Sequence, residues 1–349
     1  MLGSLLKSLF SSATASDDLR AGIAAYHRGE LDVAGRLLAN AVSRAPHNAE
    51  AHLYAGLAAR TAGRDPDALP FFSRASALDP DNAAYRYQLA EAEYRLGGND
   101  AAWRACEQAL ERNPDFEMCH RLMARIALPG PSYLDILFFL HRALQPRTYL
   151  EIGVATGESF ALTPAGTRAI GIDPEPRLDR PLPDGAILVR TTSDQFFAAG
   201  DVKAKFGGLP IDLAFIDGLH CFEHALRDFI NVEQHCARGS TVLIHDCYPL
   251  NRLTAERERA SRFWSGDVWR VVLALRKHRP DLAVHTIAAP PTGLAIVRGL
   301  DPASVVLRER MDDIVAEFLA VDYAVLNADK SGLLNLFPSD PGKIEALLR

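Results

Sequence analysis

The chain has 349 residues, 48% of them hydrophobic and 23% charged, with a net charge of −6. That composition suits a globular protein with room for two domains; it lacks the basic excess of a nucleic-acid binder, and no apolar run approaches the ~20 residues a membrane span needs. Five cysteines (Cys106, Cys119, Cys221, Cys236, Cys247) form an odd set without a Cys-x-x-Cys pair, which argues against a disulfide framework or a zinc site and fits a reducing, cytoplasmic compartment.

The opening segment, MLGSLLKSLFSSATAS, puts Leu2, Leu5, Leu6, Leu9 and Phe10 on one face of a helix. Lys7 interrupts the apolar stretch and makes a poor secretory signal, so the segment reads as a frayed or loosely docked first helix. A repeat array follows. Pro46, Pro80 and Pro114 are spaced by 34 residues, as are Gly29, Gly63 and Gly97, Ala34, Ala68 and Ala102, and Ala41, Ala75 and Ala109. Gly22, Gly56 and Ala90 fill a fifth column of small residues. This period is that of tetratricopeptide repeats, each a helix–turn–helix. The glycine column ends the first helix, the proline column stops the second, and the small residues permit close helix crossings. Three repeats are expected at about 17–50, 51–84 and 85–118, with Phe116–Leu128 as a capping helix. Such an array offers a concave surface to a peptide or protein partner, or packs on its neighbour and mediates homo-oligomer formation. The arginines it carries (Arg28, Arg60, Arg64, Arg95, Arg104) are interleaved with acids and read as solvated faces.

Leu128-Pro129-Gly130-Pro131-Ser132 is a short stiff joint, and Tyr133–Leu144 an apolar helix beyond it. Tyr149, Leu150 and Ile152 then form a strand that stops at Gly153-Val-Ala-Thr-Gly157. The glycines allow a sharp turn and the close approach of a ligand. Arg168–Ile172 reads as a second strand ending on Asp173, about 20 residues past the first glycine, where an acid commonly takes a ribose diol. The loop is Glu-x-Gly-x-x-x-Gly (Glu151, Gly153, Gly157); a dinucleotide fingerprint would carry a third glycine, so a nucleoside without a pyrophosphate is favoured. Read alone, the stretch also suits another nucleotide-binding or unliganded βαβ unit.

Further strands are expected at Ala186–Arg190, Ile211–Ile216, Thr241–Ile244, Leu282–Ile287 and Thr292–Val297, with helices opening at Ser193-Asp194-Gln195 and spanning Phe222–Cys236 and Val268–Lys277. Strands alternating with helices imply an α/β Rossmann-like domain with a mostly parallel, seven-stranded sheet covered on both faces. Ala303–Ala320 and Lys343–Leu348 carry helical pattern. The expected division is a repeat domain at 17–128, an α/β domain at 133–300 and a helical extension at 301–349. Two motifs sit at strand ends over the ligand crevice: Asp217-Gly218-Leu219-His220 after the fourth strand, and His245-Asp246-Cys247 after the fifth.

Together with Trp264-Ser265-Gly266-Asp267 and Pro291-Thr292-Gly293, these residues resemble the class I S-adenosylmethionine-dependent methyltransferases. Over about 133–300 they are similar to the Asp-Gly-x-His subgroup, which includes macrolide-sugar O-methyltransferases and cephalosporin-hydroxylase-like proteins. The resemblance implies that Glu151, Gly153 and Gly157 surround the methionine part of S-adenosylmethionine and that Asp173 holds its ribose hydroxyls. Ser193 and Asp194 then lie where relatives contact the adenine. It also implies transfer to a hydroxyl of a sugar, glycan or small molecule, with His220 as general base; an unperturbed histidine is largely neutral at physiological pH. Relatives that use Mg2+ hold it through the acid matching Asp217 and an acidic pair matching His245-Asp246. Asp217 and Asp246 are candidate ligands here, but His245 replaces a carboxylate, and Mg2+ does not gain from imidazole. Structural roles compete with each assignment: Asp217 as a cap for the next helix, His220 as a first-turn histidine, His245 and Asp246 as turn residues, Trp264 and Trp269 as packing. The competing function is an interaction protein whose methyltransferase fold is catalytically idle.

Overall fold

The computed structural model describes residues 14–348; the apolar face expected at Leu2–Phe10 lies outside the described residues. The chain forms two compact units, divided between Ile126 and Ala127. Element labels below omit single-turn helices.

The first unit is a helical solenoid. Its hairpins are α1 (Ala15–His27) with α2 (Leu31–Arg44), α3 (Ala49–Thr61) with α4 (Asp65–Leu78), and α5 (Ala83–Arg95) with α6 (Asn99–Arg112). The 34-residue columns explain this packing. Gly29, Gly63 and Gly97 adopt φ of +78°, +74° and +83° just beyond the first helix of each hairpin, a backbone that only glycine takes without strain. The alanines of the two alanine columns have no exposed surface. A Cβ on Gly22 would lie 2.8 Å from Leu38, and one on Gly56 2.7 Å from Phe72, so the small-residue column lets the two helices of a hairpin cross. Asn48 and Asn82 cap α3 and α5 by accepting from backbone N–H groups. Helix α7 (Glu117–Ala127) follows the third hairpin.

The second unit is a single sheet with helices on its faces. It comprises α8 (Tyr133–Leu144), β1 (Thr148–Ile152), β2 (Arg168–Ile172), β3 (Ile187–Val189), α9 (Ser193–Ala198), β4 (Ile211–Ile216), α10 (Phe222–Glu233) and β5 (Cys236–His245). Then come α11 (Trp269–His278), β6 (Ala283–Ile287), β7 (Leu294–Arg298), α12 (Met311–Leu319), α13 (Tyr323–Ala328), β8 (Leu336–Phe337) and α14 (Pro341–Leu347). The strand order is β3-β2-β1-β4-β5-β7-β6-β8. Strands β1 to β5 run parallel, and β7 is antiparallel to both β5 and β6. Tyr149, Leu213, Phe215, Leu243 and Ile296 share a core with Ile136, Leu137 and Leu140 of α8 and Ile344 of α14. Side chains of opposite parity, such as Leu150, Ala214 and Val242, are also buried, while α10 packs on β4 and β5 and α11 on β6. Burial on both faces accounts for the unbroken apolar runs of the central strands.

The sheet has eight strands among the described residues, not the seven expected. The eighth, β8, comes from the segment read as purely helical: Leu336 and Phe337 pair in parallel with Thr286 and Ile287. Strand β5 starts at Cys236 rather than Thr241, because Cys236 pairs with Ile211 across an irregularity in the ladder before regular pairing begins at Thr241. Helix α10 accordingly ends at Glu233.

Candidate functional site

In the strand order, β1 is the first strand of the sheet and its chain returns through β2 and β3 on one side before crossing to β4 on the other. Ligands of open α/β sheets bind outside the carboxyl ends of the strands at such a switch point. Gly153 turns the chain there at φ +87°, and its N–H donates to the Ile172 carbonyl at 2.9 Å. A Cβ on Gly153 would stand 1.9 Å from the carbonyl oxygen of Asp217. Glycine is therefore demanded by the backbone at the end of β4, rather than by the ligand approach the sequence suggested.

Beyond this turn lies a cavity of about 700 Å³, within the ~300–1,000 Å³ of small-molecule sites. Ile152, Gly153, Ile172 and Asp173 line it from β1 and β2; Thr191, Thr192 and Ser193 from the end of β3; Asp217 to His220 from β4; His245 and Asp246 from β5. Phe263, Trp264 and Pro291 add apolar wall. The Asp173 carboxylate is aimed by two backbone donors, Ala155 N–H and Glu175 N–H, each at 2.8 Å.

The opposite end of the cavity holds two carboxylates and two imidazoles. His220 Nδ1 is 3.0 Å from the Trp264 carbonyl and 3.0 Å from Asp246 Oδ2. Its ring hydrogen is aligned on the carbonyl, which leaves Asp246 Oδ2 buried without an aligned hydrogen bond and fixes Nε2 as the free nitrogen, 3.8 Å from Asp217 Oδ1. The Trp264 ring stacks on His220 with centroids 5.1 Å apart and is pinned by its Nε1–H donating to the Glu256 carbonyl at 2.6 Å. Gly266 at φ +63° brings this loop against His220, whose carbonyl a Cβ would meet at 1.8 Å. His245 Nδ1 lies 3.1 Å from Asp217 Oδ1, its Nε2 3.4 Å from Thr292 Oγ1, and the Tyr133 ring packs on it at 4.1 Å. Asp246 is held at φ +60°, a strained setting for a non-glycine residue and frequent at functional sites.

Electrostatics bind the four together. Burial pulls the His220 pKa down, but the carboxylates of Asp246 and Asp217 outweigh it and raise it to about 9. His245 is raised for the same reason, burial being offset by Asp217 and Asp246. Burial would raise Asp246, yet the two histidines hold it below the usual carboxylate value. His220 is thus cationic at neutral pH in this arrangement, against the neutral ring expected from an unperturbed histidine.

Asp173, Ser193, Asp217, His220, Asp246 and Gly153 meet at the cavity, whereas Glu151, Gly157 and Asp194 do not line it. Glu151 is fully buried behind the turn, where it accepts from Tyr149 Oη at 2.5 Å and Ser159 Oγ at 2.7 Å. Burial, the dominant cause, raises its pKa to about 8. Gly157 turns at φ +85° against Leu178. Asp194 faces outward to Arg227, 3.2 Å away. Capping of α10 falls to Asp267, whose Oδ1 accepts from Phe222 N–H at 2.7 Å, not to Asp217. Trp269 is a core residue. Two residues that sequence reasoning missed also line the cavity: Asp228, an interior position of α10, and Thr292.

Asp217, His220 and Asp246 each offer a ligand atom, all within 4.8 Å of one another. The orphaned Asp246 oxygen would suit a cation, but the donor set mixes imidazole with carboxylate, and His245 already occupies Asp217. Mg2+ asks for near-octahedral oxygen and water ligands, so these residues do not fit it.

The profile of a methyltransferase-domain family matches residues 150–247, and two tetratricopeptide-repeat profiles match 19–83 and 59–126. A methyltransferase domain follows tetratricopeptide repeats. The chain is also similar to solved structures of MamA, one at 22% identity over 36% of this chain and 71% of that chain (TM-score 0.33). A second, MamA AMB-1, is 26% identical over 35% and 68% (TM-score 0.32). YrrB, a tetratricopeptide-repeat protein with an unusual peptide-binding site, is 18% identical over 31% and 56% (TM-score 0.30). No curated protein matches the chain. No described helix is long and apolar enough to cross a membrane.

Proposed function

We propose that this protein transfers the methyl group of S-adenosylmethionine to a hydroxyl, with a sugar, glycan or related small molecule as acceptor. The observation that carries the reading is the shared cavity: an acid aimed by two backbone donors at the end of β2 opens onto the same space as His220 at the end of β4. The cofactor would supply an electrophilic methyl on a sulfonium sulfur. Asp173 accepts hydrogen bonds from the ribose hydroxyls, and the apolar wall of Ile172 and Pro174 excludes water. An alcohol attacks poorly until its proton is removed. His220 Nε2 takes that proton once it has lost its own, while the Trp264 carbonyl holds Nδ1–H and keeps the ring in the useful tautomer. Asp246 and Asp217 stabilise the imidazolium that results. Orientation of the acceptor against the methyl group contributes the rest. The subgroup resemblance of Asp217-Gly218-Leu219-His220 supports the hydroxyl acceptor, and tetratricopeptide repeats, as interaction modules, support a protein partner or self-assembly.

The test is thermal unfolding and calorimetric titration with S-adenosylmethionine and S-adenosylhomocysteine. Ligand at 100 times its dissociation constant adds ~2.7 kcal/mol of stability, read as a clear rise in Tm. No heat and no shift at millimolar ligand would leave the idle-scaffold reading in its place.

A further inference from the structure

The strand order fixes how a nucleoside must lie in this cavity. If its ribose sits on Asp173 at the end of β2 and its reactive end faces His220 at the end of β4, the base is directed the other way, toward β3. The polar residues lining that end are Thr191, Thr192, Ser193 and Asp228. Asp228 is only 4% exposed and reaches the cavity from α10, which packs on α9, the helix that Ser193 opens. A Cβ on Gly218 would come within 3.6 Å of Asp228 Oδ2; the glycine leaves that oxygen uncovered toward the cavity floor. Asp194, the acid adjacent in sequence to Ser193, is turned away to Arg227. Burial raises the Asp228 pKa to about 7, with Ser193 hydrogen-bonding to it in opposition. In either protonation state a carboxyl oxygen remains to accept.

We propose that Asp228 selects the base of the cofactor, accepting a hydrogen bond from the exocyclic amino group of an aminopurine and rejecting a base with an oxygen in that place. The inference rests on the S-adenosyl reading of the cavity. A buried acceptor facing a carbonyl oxygen is left unpaired beside a second acceptor, and sites built around a hydrogen bond discriminate strongly against partners that cannot make it.

The experiment is calorimetric titration of the full chain at pH 8 with S-adenosylhomocysteine and with S-inosylhomocysteine, which differ only in amino against oxo at this position. Wild type is expected to bind the adenosyl compound at least ~10-fold more tightly. Asp228→Asn, whose amide can turn a donor toward the oxo group, is expected to lose affinity for the adenosyl compound and to narrow or invert the preference. Equal wild-type affinity for the two ligands overturns the proposal without recourse to any variant. So does a variant that weakens both by the same factor, which would make Asp228 a support for Ser193 alone. Binding of neither ligand to the folded wild type overturns the S-adenosyl reading itself and the proposal with it.

Discussion

Two imidazoles between two carboxylates form a nearly neutral group when both rings are protonated, and this sets the pH at which His220 can act. Because its pKa is raised to about 9, the ring holds its proton through neutral pH and becomes a base only as pH climbs. Turnover is expected to increase from pH 7 toward 9, with an apparent pKa well above the ordinary ~6.5; a pH–rate profile that levels off near 6.5 contradicts this. His220→Ala should lower kcat ~10²–10⁴-fold with calorimetric cofactor affinity unchanged, and EDTA should leave activity intact. Asp173→Ala should weaken cofactor binding, since a hydrogen bond to a charged group is worth ~1.5–3 kcal/mol; unchanged affinity in a folded variant would remove Asp173 from the site. The residues at strand ends were readable from sequence because an acid or histidine right after an apolar run has only one place to go. Asp228 was not, since an acid inside an amphipathic helix looks like any solvated position until the packing of α10 is known.

At the scale of the element, the β1 turn depends on backbone contact and on a buried acid. Gly153→Ala should cost both stability and cofactor affinity, because its Cβ collides with the end of β4 whether or not ligand is present; intact thermal stability with lost binding would restore the ligand-approach explanation. Glu151 binds a proton in the folded protein up to about pH 8 but releases it near 4.3 when unfolded. Its protonation therefore favours folding at low pH, and that contribution fades as pH rises from about 4.3 through 8. Glu151→Gln should be more favourable relative to wild type at pH 8.5 than at pH 5, measured by urea unfolding at both. The repeat helices were legible because five columns recur in phase, each tied to a backbone or packing need. Strand β8 was not, being two residues long, and neither was the start of β5, where Ala237-Arg238-Gly239-Ser240 lacks apolar alternation.

For the whole molecule, residues lining the cavity all come from the second unit. Residues 127–349 alone should bind S-adenosylhomocysteine with the affinity of the full chain, while acceptor turnover or assembly changes when the repeats are removed. A folded fragment unable to bind would show that the repeats contribute to the site. Ending the chain at residue 300 is a different matter. It would strip β8 from the edge of β6 and remove α14 from the core shared with α8, uncovering a sheet edge open to pairing with other chains.

Ser339 Oγ donates to the carbonyl of Pro131 at 2.8 Å, and Arg298 reaches the carbonyl of Leu347 at 2.8 Å, so the entry and exit of the α/β unit meet. The unit is, in effect, a ring of polypeptide with a narrow gap. A short linker bridging that gap would close little additional loop entropy, and the ring could be reopened elsewhere, for instance in the exposed connection ahead of β3. Such a circular permutant is expected to fold with the same cavity, because the register of strands and not the order of their synthesis assembles it.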